Sequence, residues 1–399
     1  MSVTAAAGFV AGGHASGIKA DGRADLAVVA AADGRPVPAA GVFTTNLACA
    51  PPVQISRRHL HDGHAAAIVL SSGNANAATG EQGRADALRM CELTATGIGA
   101  TNTDVLVCST GLIGIPMPMA PIESGIPILT GTLGPSAEHG RAAADAILTT
   151  DTVRKEALAT ATVGGATVQV GGMAKGAAML APAMATMLAA ITTDAVVAPP
   201  VLQRALAEAV GATFDCLVVD GCRSTNDTVI VLASGAAAHP VVDSTSGAAF
   251  HALTDALTEV CGSLAEQMAR DAEGATKLAR IVVRGAANDA DARVAARAVA
   301  GSQLVQCSLN GSDPYWGRVL SELGASGAHF DPEQVEIAYG DVVVCRDGIA
   351  APHDEARLRE VMDEREITIS AALDAGHGEA TVLATDLSYG YIDENRRTS

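Results

Sequence analysis

The chain is 399 residues long and 49% apolar but only 3% aromatic, so it can fill two or three domains, with cores packed mainly by Ala, Val, Leu, Ile and Met. A formal charge of −18 argues against nucleic acid or anionic membrane as partner, since both call for basic patches, and suits a soluble enzyme of small metabolites. No basic region followed by an apolar stretch opens the chain, so no signal peptide is expected; eight cysteines without C-x-x-C spacing read as reduced core thiols of a cytoplasmic protein.

In chain order, β-branched runs predict strands over 26–31, 66–70, 105–108, 161–170, 184–191, 228–233, 281–283, 335–344, 367–372 and 379–385. Helices are predicted over 83–96, 137–148, 201–210, 247–270, 289–300, 316–323 and 354–363. Gly164-Gly165 can turn a hairpin within 161–170, Pro199-Pro200 suits a first helical turn, and Asn288 can cap the helix that follows it. With no repeat and no low-complexity linker, the order reads as α+β with mixed sheets rather than a regular βαβ series.

Most short catalytic motifs are absent. There is no G-x-S-x-G, no G-x-x-x-x-G-K-[ST] and no H-E-x-x-H. Gly97-Ile98-Gly99 and Gly376-His377-Gly378 lack the third glycine of a dinucleotide fingerprint, and Ser16-Gly17-Ile18-Lys19 matches S-x-x-K without a K-T-G to follow. His59, His61 and His64 lie in a polar stretch from Arg57 to His64, where a solvated loop is favoured over a metal site. No metal and no resident cofactor is expected.

The segment 171–194 reads GGMAKGAAMLAPAMATMLAAITTD and carries one lysine, Lys175, in a chain whose other lysines are Lys19, Lys155 and Lys277. A cation among apolar residues needs a partner or a task. The run from 176 to 193 is nearly long enough for a membrane span, but Pro182, its threonines and its small residues make it buried interior instead. A threonine hydroxyl such as that of Thr186 is a weak nucleophile until a base takes its proton. A chain terminus at Thr186 would supply that base, because an α-amine titrates near ~8. On spacing alone, Thr186 reads as an ordinary strand threonine bonded to backbone rather than as a nucleophile.

The pattern Gly172-Met173-Ala174-Lys175-Gly176, Met179-Leu180, Pro182 and Met184-Ala185-Thr186-Met187-Leu188 closely resembles the ornithine acetyltransferase family, the bifunctional glutamate N-acetyltransferases of arginine biosynthesis. The likeness spans the chain, through Phe43-Thr44-Thr45-Asn46, Ser72-Gly73-Asn74-Ala75-Asn76-Ala77, Cys108-Ser109-Thr110-Gly111, Thr149-Thr150-Asp151, Ser224-Thr225-Asn226-Asp227-Thr228, Asp271-Ala272-Glu273-Gly274 and Gly311-Ser312-Asp313-Pro314. It implies a layered αββα core of the aminopeptidase and ornithine acetyltransferase type over 1–276, and a smaller α/β domain over 277–399 whose tail returns to the active site.

The resemblance further implies cleavage between Ala185 and Thr186 into α and β chains and a double displacement. Thr186 takes acetyl from N-acetylornithine and passes it to glutamate. Thr110 and Gly111 match the oxyanion pair. Lys175, Glu273, Asn395 and one of Thr149 or Thr150 match substrate contacts, and Ser399 matches a terminal contact on a tail one residue short. An α2β2 assembly is also implied, while the sequence leaves open whether acetyl-CoA serves as an alternative donor. This chain departs from the family pattern at Ala178, where a glycine is usual, and at Tyr315, where an asparagine is usual. An N-terminal-nucleophile amidase or aminopeptidase, with water as acceptor, is the alternative enzyme reading; a non-catalytic binding protein is the third.

Overall fold

The computed structural model describes residues 2–179 and 187–396. Ala185, Thr186 and Ser399, together with the first residues of the expected strand 184–191, lie outside the described residues. The chain forms two compact units, one of Met1–Ala177, Ala183–Asp215 and Arg223–Met268, the other of Ala178–Pro182, Cys216–Cys222 and Ala269–Ser399.

Unit 1 contains β1 (Phe9–His14), β2 (Leu26–Ala31), β3 (Val37–Phe43), β4 (His64–Ala65), β5 (Ala67–Asn74), β6 (Val105–Leu112), β7 (Lys155–Val163), β8 (Ala166–Lys175) and β9 (Leu188–Thr193). After β10 (Leu217–Val218), which belongs to unit 2, it regains the chain with β11 (Thr228–Ala233). Its helices are α1 (Pro51–His59), α2 (Gly80–Ile98), α3 (Met119–Thr130), α4 (Ala137–Ala146), α5 (Pro199–Ala212) and α6 (Ala248–Arg270).

One sheet has the order β1-β2-β5-β6 and the other β4-β3-β11-β9-β8-β7. Each is antiparallel except for one parallel pair, β5 with β6 and β9 with β11. Alternation along the strands gives each sheet two apolar faces. Ala27, Val29, Ile68, Leu70 and Leu106 of the first sheet form one cluster with Met173, Leu188, Ala190, Ile230 and Leu232 of the second. The opposite face of the first sheet, with Leu26, Val28, Val69 and Val107, packs on Ile55 of α1, Met90 of α2 and Ile122 of α3. On the second sheet's outer face a Cβ built at Gly172 would stand 2.8 Å from Val260 and 3.1 Å from Leu264, so α6 lies directly against it. The layers therefore run helix, sheet, sheet, helix, and the class is α+β.

Unit 2 adds β12 (Leu278–Ala286), β13 (Glu336–Tyr339), β14 (Val342–Arg346), β15 (Ile349–Ala350), β16 (Glu366–Ala372) and β17 (Gly378–Thr385), with α7 (Asp289–Gly301), α8 (Gln303–Asn310), α9 (Trp316–Ala325), α10 (Glu355–Asp363) and α11 (Tyr389–Asn395). Its single mixed sheet has the order β10-β17-β12-β16-β13-β14-β15. Ile281, Val283, Ile337, Ile369 and Val382 of that sheet share a core with Ala295 and Val299 of α7 and Leu323 of α9.

The expected strand 161–170 is a hairpin of two longer strands, turned at Gly164 (φ 57°) and Gly165 (φ 88°). The expected strand 335–344 divides into β13 and β14, because Gly340 (φ 57°) reverses the chain. The polar stretch from Arg57 to His64 is not a solvated loop. Arg57 to His59 complete α1, and His59 is buried with its Nδ1 2.8 Å from the Val105 carbonyl. All eight cysteines are free, but Cys222 and Cys307 are exposed rather than core residues. Among the described residues no helix is long and apolar enough to cross a membrane, and no group of three or more His, Cys, Asp or Glu could hold a metal ion.

The seat of α4 on β1 depends on Gly13, where an added Cβ would fall 2.0 Å from the Ala142 carbonyl oxygen. Backbone cannot yield as a side-chain tip can. Gly13→Ala should therefore lower unfolding free energy by about 1–3 kcal/mol in a urea titration; an unchanged midpoint would show that the helix sits loosely.

Candidate active site

Two strand ends of unit 1 meet the residues that sequence singled out. On the first sheet, β5 and β6 pair Ser72 with Thr110 and Gly73 with Gly111. Thr110 is 2% exposed and its Oγ1 has no hydrogen-bond partner. A buried unpartnered hydroxyl costs about 1–3 kcal/mol, so it suits a partner that is present only part of the time. Gly111 has φ 135°, and a Cβ there would sit 2.3 Å from the Gly73 carbonyl carbon and 2.5 Å from the Asn74 nitrogen. Only glycine fits that turn.

On the second sheet, register aligns Lys175 with Leu188, and Leu188 with Thr228. Lys175, Met187 and Asp227 therefore share one edge. Asn226 ties that edge to the first sheet, its Nδ2 donating to the carbonyls of Ser109 (2.8 Å) and Ala75 (2.6 Å). The next residue, Asp227, is fully buried. Its Oδ1 accepts the Met187 N–H at 2.9 Å, while its Oδ2 has no hydrogen-bond partner. Burial pushes the Asp227 carboxyl well above the usual carboxylate range, outweighing the Met187 N–H, Ser224 and the Lys175 charge, while Asp215 adds to the upward push. A carboxyl that burial shifts toward its neutral form thus stands beside Met187, the residue that follows Thr186.

Lys155, Asp151 and Lys175 are all buried at this edge. Asp151 Oδ1 accepts from Lys155 Nζ (2.7 Å) and from the Gly176 N–H (2.8 Å). Its Oδ2 accepts from the Thr149 N–H (3.1 Å) and lies 3.8 Å from Lys175 Nζ. Burial alone would raise the Asp151 carboxyl; the charges of Lys175 and Lys155 and the hydrogen bonds from Lys155 and Gly176 instead hold it well below the usual range. Thr150 is exposed. Nearby, Asp25 gathers the backbone N–H groups of Ser16, Gly17, Ile18 and Lys19. Burial first, then Arg23, pushes Lys19 down to about 8, against the pull of Asp25 and Asp21.

Within unit 2, Glu273 and Asn395 meet, Asn395 Nδ2 donating to Glu273 Oε2 at 2.8 Å. A Cβ at Gly274 would come 2.1 Å from the Tyr391 nitrogen, which shows how closely α11 approaches this turn. Asp220 accepts from the Met179 N–H (2.6 Å) and the Tyr391 hydroxyl (3.2 Å). Burial raises the Asp220 carboxyl, and Glu273 adds to that rise. Met179, just after Ala178, has φ 54°. Tyr315 is exposed beneath the Arg318 guanidinium, 5.5 Å from its ring centre.

The sequence profile of the ArgJ family matches residues 10–398. The chain belongs to this family. A relative from Symbiobacterium thermophilum, named arginine biosynthesis bifunctional protein ArgJ, is 48% identical over 98% of this chain and 97% of its own length. One of the same name from Thermobifida fusca is 45% identical, covering 99% of both chains. Among solved structures, the ornithine acetyltransferase of Mycobacterium tuberculosis complexed with ornithine is 41% identical over 45% of this chain and 94% of that one, with a TM-score of 0.41.

Asp151, Lys155, Asn226 and Asp227 have no role among the sequence expectations, although the scarcity of lysine points toward Lys155. Asp227 also permits a test. Its folded carboxyl keeps a proton that the unfolded chain loses near pH ~4, so its contribution to stability declines as pH rises through that value. Asp227→Asn keeps the acceptor for Met187 without that penalty. Its melting temperature at pH 8 should be at least that of the parent protein; a marked fall would mean that Asp227 is ionised in the fold.

Proposed function

We propose that this protein carries acetyl from N-acetylornithine to glutamate through an ester on Thr186, after cutting itself between Ala185 and Thr186. The observation that carries this reading is the buried, unpartnered hydroxyl of Thr110 beside Gly111. That strand end is clamped by Asn226, whose neighbour Asp227 holds Met187. Relatives that match nearly the full chain and are named for bifunctional arginine biosynthesis support the same reading.

The steps follow from the groups present. The Thr186 hydroxyl adds to the Ala185 carbonyl, the peptide C–N bond breaks to leave an ester and a free α-amine, and water then hydrolyses the ester, releasing the Ala185 carboxylate and returning the hydroxyl. That amine, titrating near ~8, then takes the hydroxyl proton as Thr186 attacks the acetyl carbonyl of N-acetylornithine. The Thr110 hydroxyl and the Gly111 N–H would hold the developing oxyanion. Ornithine leaves, and the amine of glutamate attacks the acetyl ester to give N-acetylglutamate.

Lys175 suits the α-carboxylate that both substrates carry, with Thr149 or Thr150 beside it. Glu273 suits the side-chain ammonium of the donor, with Asn395 holding its carboxylate. Ser399 would be a further contact from the tail. The chemistry uses no metal or resident cofactor, although an acyl thioester such as acetyl-CoA could load the same threonine. The α and β chains would remain one fold and pair as α2β2 in the cytoplasm.

Purified protein should resolve by intact mass into fragments 1–185 and 186–399 and should make N-acetylglutamate only when N-acetylornithine and glutamate are both present. Acetate released without glutamate would identify an amidase instead. Thr186→Ala should remain a single inactive chain, and Thr110→Ala should lose about 10²–10³ in kcat. An active, uncut Thr186→Ala protein would remove the mechanism.

A further inference from the structure

We infer that Asp151 is the positioning residue of the substrate site, one carboxylate that fixes Lys175, Thr149 and Gly176 in a common frame. This rests on the reading of Lys175 and Thr149 as substrate contacts. Both oxygens of Asp151 are committed to different elements. Oδ1 takes Lys155 Nζ, at the start of β7, and the Gly176 N–H, just past the end of β8. Oδ2 takes the Thr149 N–H and faces Lys175 Nζ at 3.8 Å. The antiparallel register of β7 and β8 sets Lys155 opposite Ala174, which brings both lysines to one carboxylate.

The two lysines are not equivalent. Lys155 is fully buried and in hydrogen-bond contact with Asp151, which a full pair requires in an apolar interior. Lys175 stands more than an ångström further away. Lys155 thus makes the hydrogen-bonded contact with the carboxylate and Lys175 the longer-range one. The Lys175 ammonium is suited to an anion, and the carboxylate common to N-acetylornithine and glutamate is one. Asp151 touches neither substrate in this assignment; it sets where the ammonium stands.

The test separates positioning from simple charge balance. Asp151→Asn alone leaves two buried lysines without this anion and is expected to fold poorly. Asp151→Asn with Lys155→Met removes one charge of each sign and should restore folding, read by circular dichroism and gel filtration, and cleavage, read by intact mass. The double variant should nonetheless lose about 100-fold in kcat/KM for both N-acetylornithine and glutamate, chiefly through KM, because Lys175 is no longer anchored. Asp151→Glu, which keeps the charge, should recover part of that loss.

A folded and cut double variant with parental KM values would show that Asp151 only neutralises Lys155, and would overturn the inference. So would a folded double variant that stays uncut, since Asp151 would then act on maturation. Failure of the double variant to fold would overturn the separation of roles drawn between the two lysines. If the parent protein itself transfers no acetyl group between these substrates, the proposed function fails instead, and does so before any variant is compared.

Discussion

The layer between the two sheets of unit 1 is built from Ala, Val, Leu, Ile and Met side chains, and it leaves no place for an ion. An unpaired charge there would cost several kcal/mol. The buried charged groups of the second sheet have therefore gathered at strand ends, where backbone N–H groups become free to bond the carboxylates among them. Lys155 opens β7, Lys175 closes β8, and Asp227 immediately precedes β11. Strand register places these on one edge, because β8 pairs with β9 and β9 with β11. Asn226 couples that edge to the end of β6.

This arrangement divides the buried carboxyls by environment. Asp151, between two lysines and two backbone N–H groups, is held as an anion. Asp227, whose Oδ1 takes the Met187 N–H, is pushed by burial toward its protonated form. Two buried carboxyls pushed in opposite directions fit the proposed site, where protons and charge are handled. Acyl transfer through a threonine has the same needs, namely a place for an oxyanion, a fixed cation for a carboxylate and a dry surround. Unit 2 holds its own carboxylate pair, Asp220 and Glu273, each bonded by a group from α11.

Much of the frame is legible in the residues themselves. The Gly164-Gly165 hairpin, the Pro199-Pro200 helix start and the Asn288 cap follow from local rules, and each is present, Asn288 accepting from the Asp291 N–H at 3.0 Å. Elements whose local chemistry contradicts their state escape such rules. α3 carries Pro127 inside it, and β3 contains Pro38. Thr110, Gly111 and Lys175 stand out only through ordered motif likeness. Asp151 and Asp227 lie inside such motifs and Lys155 outside them, but none reveals its role, because a charged residue beside a strand looks the same in sequence whether water or protein surrounds it. Tertiary packing alone decides that.

In the proposed mechanism an acetyl group resides on Thr186 between the two half-reactions. The direct measurement is intact mass spectrometry of the protein after incubation with N-acetylornithine in the absence of glutamate. One acetyl group should appear on the fragment that begins at Thr186 and should vanish when glutamate is added. An unmodified fragment in protein that still turns over both substrates would contradict this mechanism.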